Sequence, residues 1–254
     1  APSLKGYYLG SDSSDVKLVL DLEGRDPYWQ MAIDEASLIL RAYNLVEDFV
    51  RLWVFKPTTL SIGKFQSYEA TVNEEKVKEL GLMVVRRFTG GGAAVHDYQG
   101  EITWTVVMKG KSMDEAYKWA GEALIKALKE FGLKGEFAPI NDVIVNGKKI
   151  VGMAGAMRRG TVLVHGTFMY ATKLEYLSAL KLPKEKEQVR GKPEERVTTL
   201  SLTLGREVSK EEAVKALAKG FCEECQEASL SEAILDLANE LRWKYSNLGW
   251  TKWR

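Results

Sequence analysis

Three consecutive glycines, Gly90 to Gly92, follow a branched apolar run, Leu82 to Arg87, that ends in two arginines. A stretch without Cβ atoms breaks the strand and lets main-chain N–H groups approach a ligand closely. It also costs more conformational entropy than a simple turn requires, so the chain has to fold around a loop built to hold something. The arginines set the charge of that ligand, because a guanidinium offers planar, bidentate donors to phosphate or carboxylate oxygens. The whole stretch reads Arg86-Arg87-Phe88-Thr89-Gly90-Gly91-Gly92-Ala93-Ala94-Val95-His96-Asp97. It lacks the Gly-Lys-Ser/Thr ending of a Walker A loop and is not a Gly-x-Gly-x-x-Gly turn opening a helix.

The anion has to be met locally. With 36 basic and 35 acidic side chains the formal charge is +1, which gives no general attraction to nucleic acid or to an anionic membrane. No window approaches the roughly 18 apolar residues of a membrane span, and the first ten residues lack a secretory pattern. The expectation is a cytoplasmic protein in which residues 1–254 form a single catalytic domain.

Periodicity places the loop among mixed elements. Strands are expected at Val16 to Leu22, Arg51 to Lys56, Thr58 to Ile62, Leu82 to Arg87 and Ile102 to Met108. Three more, at Asp142 to Val145, Lys149 to Arg158 and Val162 to Thr172, are separated by the hairpin dipeptides Asn146-Gly147 and Arg159-Gly160. Helices are expected from Pro27 to Tyr43, from Glu74 to Leu80 and from Ser112 to Gly132, the last opened by a capping box with Glu115. Ser209 with Glu212, and Ser229 with Glu232, repeat that spacing before two terminal helices. Strands and helices without a steady βαβα rhythm predict an α+β fold with a mixed, largely antiparallel β-sheet flanked by helices. The charged stretch Lys181 to Arg196 is too polar to bury and reads as a surface loop. Cys222 and Cys225, in an expected helix from Glu211 to Cys225, read as structural or incidental thiols, with a disulfide as the first alternative and redox or metal chemistry as the second.

Two further groups of residues carry chemistry. In Asn141-Asp142-Val143-Ile144-Val145-Asn146-Gly147-Lys148-Lys149 the hairpin brings Lys149 back beside Asp142. At a phosphate site such a lysine supplies point charge and the aspartate can hold Mg²⁺, although Lys-Lys after Asn-Gly is also a common solvated turn. In Met153-Ala154-Gly155-Ala156 and His165-Gly166-Thr167 small residues leave room over the sheet. That room suits either a slim apolar ligand or close helix packing.

Together these motifs resemble the lipoate-protein ligase A family, within the superfamily of biotin and lipoate ligases and octanoyltransferases. Asp34-Glu35-Ala36, Ser61-Ile62-Gly63-Lys64-Phe65-Gln66, the Arg-Arg-x-Thr-Gly-Gly-Gly loop with His96-Asp97, Asn141-Asp142, Gly147-Lys148-Lys149-Ile150 and His165-Gly166-Thr167 occur in family order. The resemblance implies the biotin/lipoate ligase fold, similar to the catalytic core of class II aminoacyl-tRNA synthetases. It also implies that lipoate and ATP, with Mg²⁺, give lipoyl-AMP, whose acyl group passes to a lysine of a 2-oxoacid dehydrogenase E2 lipoyl domain or glycine-cleavage H protein.

Carried over by position, Lys149 is similar to the family's catalytic lysine, touching both carboxylate and α-phosphate. Arg87, Gly92, Ala93, Ala94 and Val95 resemble nucleotide contacts, with Asp142 for Mg²⁺ and Asn141 to orient it. Thr89, Gly91, His96, Ala154, His165, Gly166 and Thr167 would line the lipoyl chain. Larger family members carry an accessory domain after this core, so the resemblance implies a separate small accessory subunit. The nearest rival is an octanoyltransferase working through a cysteine acyl-enzyme, and neither cysteine lies in a family motif. A biotin ligase and a silent binding subunit fit less well.

Overall fold

The structure, a computed structural model, describes residues 16–138, 141–181 and 193–254. Its main sheet runs in the order β11 (Glu227–Ala228), β1 (Lys17–Arg25), β2 (Phe49–Phe55), β6 (Glu101–Lys109), β10 (Thr161–Met169), β9 (Lys148–Arg158), β8 (Asp142–Val145), β7 (Glu136–Ala138). β1 is parallel to β2 and β11, and every other pair is antiparallel, giving the mixed, largely antiparallel sheet that the sequence predicts. A second sheet, β4 (Met83–Arg86), β3 (Thr59–Ile62), β5 (Ala94–His96), carries the glycine loop between β4 and β5.

Alternation along the central strands decides where a site can form. Val50, Leu52 and Val54 of β2, Ile102, Trp104, Val106 and Met108 of β6, and Val162, Val164 and Phe168 of β10 share one face and one core. Helices α3 (Met113–Lys129) and α4 (Lys210–Phe221) cover that face. The opposite face is apolar at Phe49, Trp53, Phe55, Val107 and Leu163, which pack under α1 (Pro27–Ala42) and α5 (Glu232–Ser246). Between those residues the same face turns polar, at Arg51, Thr103, Thr105, His165 and Thr167, all buried. Buried polar groups require partners, so this strip must hydrogen-bond internally or to a ligand. The sheet order puts it at the centre of the molecule.

Several expectations need correction. The helix expected to reach Cys225 ends at Phe221, and Cys222 and Cys225 form a disulfide rather than free thiols, their Cα atoms 5.3 Å apart across the turn that follows. The Ser209–Glu212 capping box is present. The Ser229–Glu232 pair is not, because β11 holds residues 227–228 against β1 and the helix begins only at Glu232, behind Ser231. Residues 1–15 and 182–192, the latter taking in most of the charged stretch Lys181 to Arg196, lie outside the described residues. No helix among the described residues is long and apolar enough to cross a membrane.

Arg86 and Arg87 also part company. Their side chains leave β4 on opposite sides, and Arg86, fully buried, donates to the carbonyl oxygens of Gly63, Lys64 and Gln66 at 2.6–3.1 Å. Its other N–H groups reach the carbonyls of Trp250, Thr251 and Arg254. It therefore ties the last residues of the chain to the loop after β3 and does not serve the anion loop. Arg86→Ala would strand those buried acceptors, and equilibrium unfolding in urea should show a loss of at least about 3 kcal/mol. A loss below about 1 kcal/mol would mean that water replaces the guanidinium there.

Candidate functional site

A cavity of about 250 Å³ lies between the polar strip of the main sheet, the small sheet and α1. Its deep end is apolar and aromatic, formed by Met31, Trp53 and Phe55, all at most 2% exposed. Its other end carries Lys149 and Asp142, whose side chains are 42% and 32% exposed. From β9, which bears Lys149, to β2, which bears Trp53, the sheet takes three steps, or roughly 14 Å at the usual strand spacing. The cavity thus crosses the strands as a slot with a cationic mouth and an apolar floor.

Local rules place the mouth. Lys149 Nζ lies 3.1 Å from Asp142 Oδ1, as the hairpin geometry predicts. Gly152 makes this possible, since a Cβ there would lie 2.7 Å from Lys149 Cε and 2.9 Å from Nζ. Asn141 lines the same end, its side-chain amide donating to Met153 O at 2.7 Å. An ion pair this exposed is worth roughly 0.2–1 kcal/mol, so an incoming carboxylate or phosphate can take Lys149 from Asp142 at little cost.

The glycine loop wraps Arg87. Only Gly91 has the left-handed φ of +88° that favours glycine, and its carbonyl oxygen lies so close to Gly63 that a Cβ there would meet it at 2.0 Å. The Arg87 guanidinium donates through Nη2 to the carbonyls of Gly90 and Gly92 at 2.7 and 2.9 Å, through Nη1 to Ser61 Oγ at 2.9 Å and through Nε to Thr89 Oγ1 at 3.1 Å. Of its five N–H groups, one on Nη1 is left over among the described residues. Burial holds the Arg87 pKa down at about 10, so the group stays charged at neutral pH.

Each hydroxyl that accepts from Arg87 meets a histidine. Ser61 Oγ lies 2.8 Å from His96 Nε2, and His96 Nδ1 lies 3.0 Å from both carboxylate oxygens of Glu101. Thr89 Oγ1 lies 2.7 Å from His165 Nε2, and His165 Nδ1 lies 2.8 Å from Asp34 Oδ2. Asp34 in turn accepts from Thr105 and pairs with the buried Arg51, which also donates to Gln30 and Asp21. Burial pushes the His165 pKa down, with Asp34 opposing, and pushes the Glu101 carboxyl up, with His96 opposing.

Of the residues singled out from sequence, Arg87, Gly92, Ala93, Ala94, Val95, His96, Asn141, Asp142, Lys149, Ala154, His165, Gly166 and Thr167 line this one cavity. Thr89 and Gly91 stand behind it, Thr89 fully buried in its hydrogen bonds. The small residues divide between the two uses that the sequence left open. Ala154 lines the slot, whereas a Cβ on Gly166 would strike Trp104 at 2.4 Å and one on Gly155 would strike Met113 at 2.8 Å. Those two glycines admit the opposite core. Glu101 was not singled out, although its signal is legible: it is an acid at the start of a dense β run, in phase with Thr103 and Thr105. Among the described residues no group of three His, Cys, Asp or Glu could hold a metal, and Asp142 is the one carboxylate lining the cavity.

Because His165 is held neutral, the unfolded chain binds a proton below the ordinary imidazole value of 6.5 that the folded chain refuses, and stability falls on acidification. The thermal midpoint should drop between about pH 7.5 and about pH 5.5, and a His165→Asn variant should lose less over that interval. Equal losses in the two proteins would place the pH sensitivity elsewhere.

Comparison with known proteins places this geometry among lipoylation enzymes. Residues 26–222 match the lipoyl protein ligase A/B catalytic domain. Octanoyltransferase LipM of Brevibacillus brevis is 30% identical over 265 residues, covering 90% of this chain and 95% of that protein. The structure of a bi-partite lipoate protein ligase, described with its E2 lipoyl domain from Thermoplasma acidophilum, superposes with a TM-score of 0.81 at 31% identity, covering 94% of this chain and 96% of that one. A lipoate-protein ligase A bound with ATP gives a TM-score of 0.81 at 30% identity, covering 94% and 98%.

Proposed function

As this chain belongs to the lipoyl protein ligase A/B catalytic-domain family, we propose that it is an ATP-dependent lipoate–protein ligase that forms lipoyl-AMP and passes the lipoyl group to a lysine of a lipoyl domain. The observation that carries this reading is a cavity with a lysine at its mouth and no thiol anywhere near it. The chain has two cysteines, and both are consumed in the Cys222–Cys225 disulfide beyond α4. A thioester acyl-enzyme therefore has no nucleophile, and the carboxylate needs another activated form. A mixed anhydride with AMP meets that need without acylating the protein.

The acyl chain lies across the strands, its ring end against Met31, Trp53 and Phe55 and its carboxylate at Lys149. A carboxylate oxygen attacks the α-phosphorus of ATP, and the bond to pyrophosphate breaks. Lys149 and the remaining N–H of Arg87 stabilise the charge on the non-bridging oxygens, with the backbone of Gly92 to Val95 along the phosphate. The acceptor lysine amine then attacks the acyl carbon, loses its proton, and AMP leaves with the bridging oxygen. Lys149 serves both steps, because the α-phosphate is leaving group in the second.

A lone carboxylate with an amide beside it suits Mg²⁺, which keeps several waters and takes its other oxygens from substrate phosphates. Asp142 and Asn141 would hold it, and its chemistry is to neutralise phosphate charge. The bi-partite Thermoplasma ligase, described with its E2 lipoyl domain, supports two further proposals, that the acceptor is a lipoyl domain and that a separate accessory subunit assists adenylation; the family resemblance adds the glycine-cleavage H protein as an acceptor. The LipM relative supports an octanoyltransferase as the second reading, against which the absence of a free thiol weighs.

The test is the intact mass of an apo lipoyl domain incubated with the chain and either lipoate plus Mg-ATP, preformed lipoyl-AMP, or octanoyl carrier protein. Modification from lipoyl-AMP is expected, with lipoate plus ATP effective alone or after a partner subunit is added. Octanoyl transfer without ATP would overturn the proposal. Lys149→Ala should lower transfer from lipoyl-AMP by a hundredfold or more while leaving the thermal midpoint within a few degrees.

A further inference from the structure

The hydrogen bonds around Arg87 continue beyond its first partners. Arg87 only donates, so Ser61 Oγ and Thr89 Oγ1 each spend a lone pair accepting from it. His96 and His165 face Glu101 and Asp34 through Nδ1 and the two hydroxyls through Nε2. Each hydroxyl therefore links Arg87 to one histidine. Two parallel relays result, Arg87–Ser61–His96–Glu101 and Arg87–Thr89–His165–Asp34, running from one guanidinium to two buried carboxylates.

A hydroxyl, an imidazole and a carboxylate in this order resemble a nucleophilic triad, but burial decides against attack. Thr89 lies behind the cavity wall, and Ser61, which lines the cavity, is 0% exposed; each oxygen accepts from an Arg87 N–H, which draws charge away from it and makes it a poor nucleophile. What the relays do is fix the plane and reach of Arg87. Its Nη2 is held by the glycine-loop carbonyls and its Nε and Nη1 by the two hydroxyls, which leaves one Nη1 N–H for a ligand in the cavity that Arg87 lines.

We propose that Glu101, which does not touch the cavity, is a positioning residue that acts through His96 and Ser61 to orient Arg87 toward the acyl-phosphate. This deepens the ligase reading and rests on it for the identity of the ligand. Glu101 is the informative end of the pair, because Asp34 also anchors Arg51 and Thr105, so changing it would disturb the core as well. Both carboxylate oxygens of Glu101 lie 3.0 Å from His96 Nδ1.

Two variants of the full chain test this, Glu101→Gln, whose amide oxygen can still accept from His96 Nδ1, and Glu101→Leu, which cannot. The first readout is independent of activity. The chain has only two histidines, and NMR of ¹⁵N-labelled protein should show a protected imidazole Nδ1–H signal from each relay. Glu101→Leu should abolish the His96 signal and shift the side-chain N–H resonances of Arg87, whereas Glu101→Gln should keep the first and leave the second nearly in place.

The second readout is transfer from preformed lipoyl-AMP. Glu101→Leu should raise its KM about tenfold with a smaller change in kcat, and Glu101→Gln should stay within about threefold of the parent. Arg87 resonances unmoved in a folded Glu101→Leu protein, or an unchanged KM beside a lost His96 signal, would overturn the proposal. If the resonances respond as expected and the parent chain does not use lipoyl-AMP, it is the ligase reading that fails, and the orienting role of Glu101 stands.

Discussion

A guanidinium that is 4% exposed in the middle of a protein has to be accounted for before anything else in the fold. Removing such a charge from water costs several kcal/mol unless each N–H finds a partner and counter-charge lies within reach. Here the partners are two main-chain carbonyls and two hydroxyls, and the counter-charges sit one imidazole further away, at Glu101 and Asp34. Distance matters in this arrangement. Carboxylates in direct contact would neutralise Arg87, whereas carboxylates held behind histidines leave most of its field directed into the cavity.

The rest of the architecture follows from that demand. The glycine loop has to curl until two carbonyls face one guanidinium, which requires the positive φ at Gly91 and the close approach of Gly63. The main sheet has to offer polar side chains on the face that elsewhere packs under α1, which is why Thr103, Thr105, His165 and Thr167 alternate with residues of the opposite core. The small sheet has to be clamped in register, and Arg86 does so by binding the carbonyls at the end of the chain. Two adjacent arginines thus divide the labour, one holding the scaffold and one serving the slot.

Much of this was legible in the sequence, because hairpin dipeptides, capping boxes and period-two runs are local signals. The Asp142–Lys149 pair was readable from a turn and an alternation alone. What local reasoning missed depends on contacts distant in sequence. Half of the carbonyls that Arg86 binds, those of Trp250, Thr251 and Arg254, lie about 165 residues away, and nothing near Arg86 distinguishes it from Arg87. The disulfide hinged on a helix ending four residues before Cys225, a boundary set by the pairing of β11 with β1. Glu101 lies just outside the strand expected from Ile102, and only the neighbouring sheet reveals that it faces His96.

The slot itself argues for where selectivity and chemistry separate. At the deep end Met31, Trp53 and Phe55 offer apolar and aromatic surface that takes up a hydrocarbon chain or a polarisable ring by area and shape. At the mouth Lys149 is half in water and only loosely held by Asp142, so it can move from carboxylate to phosphate as charge shifts between them. Arg87, between the two, is buried and held by four hydrogen bonds. On the proposed ligase reading, a well-anchored cation beside a loosely held one suits a reaction whose negative charge gathers first at a phosphorus centre and then on the group that leaves, and a buried lining with an open mouth would keep water from the anhydride while leaving room for an incoming amine.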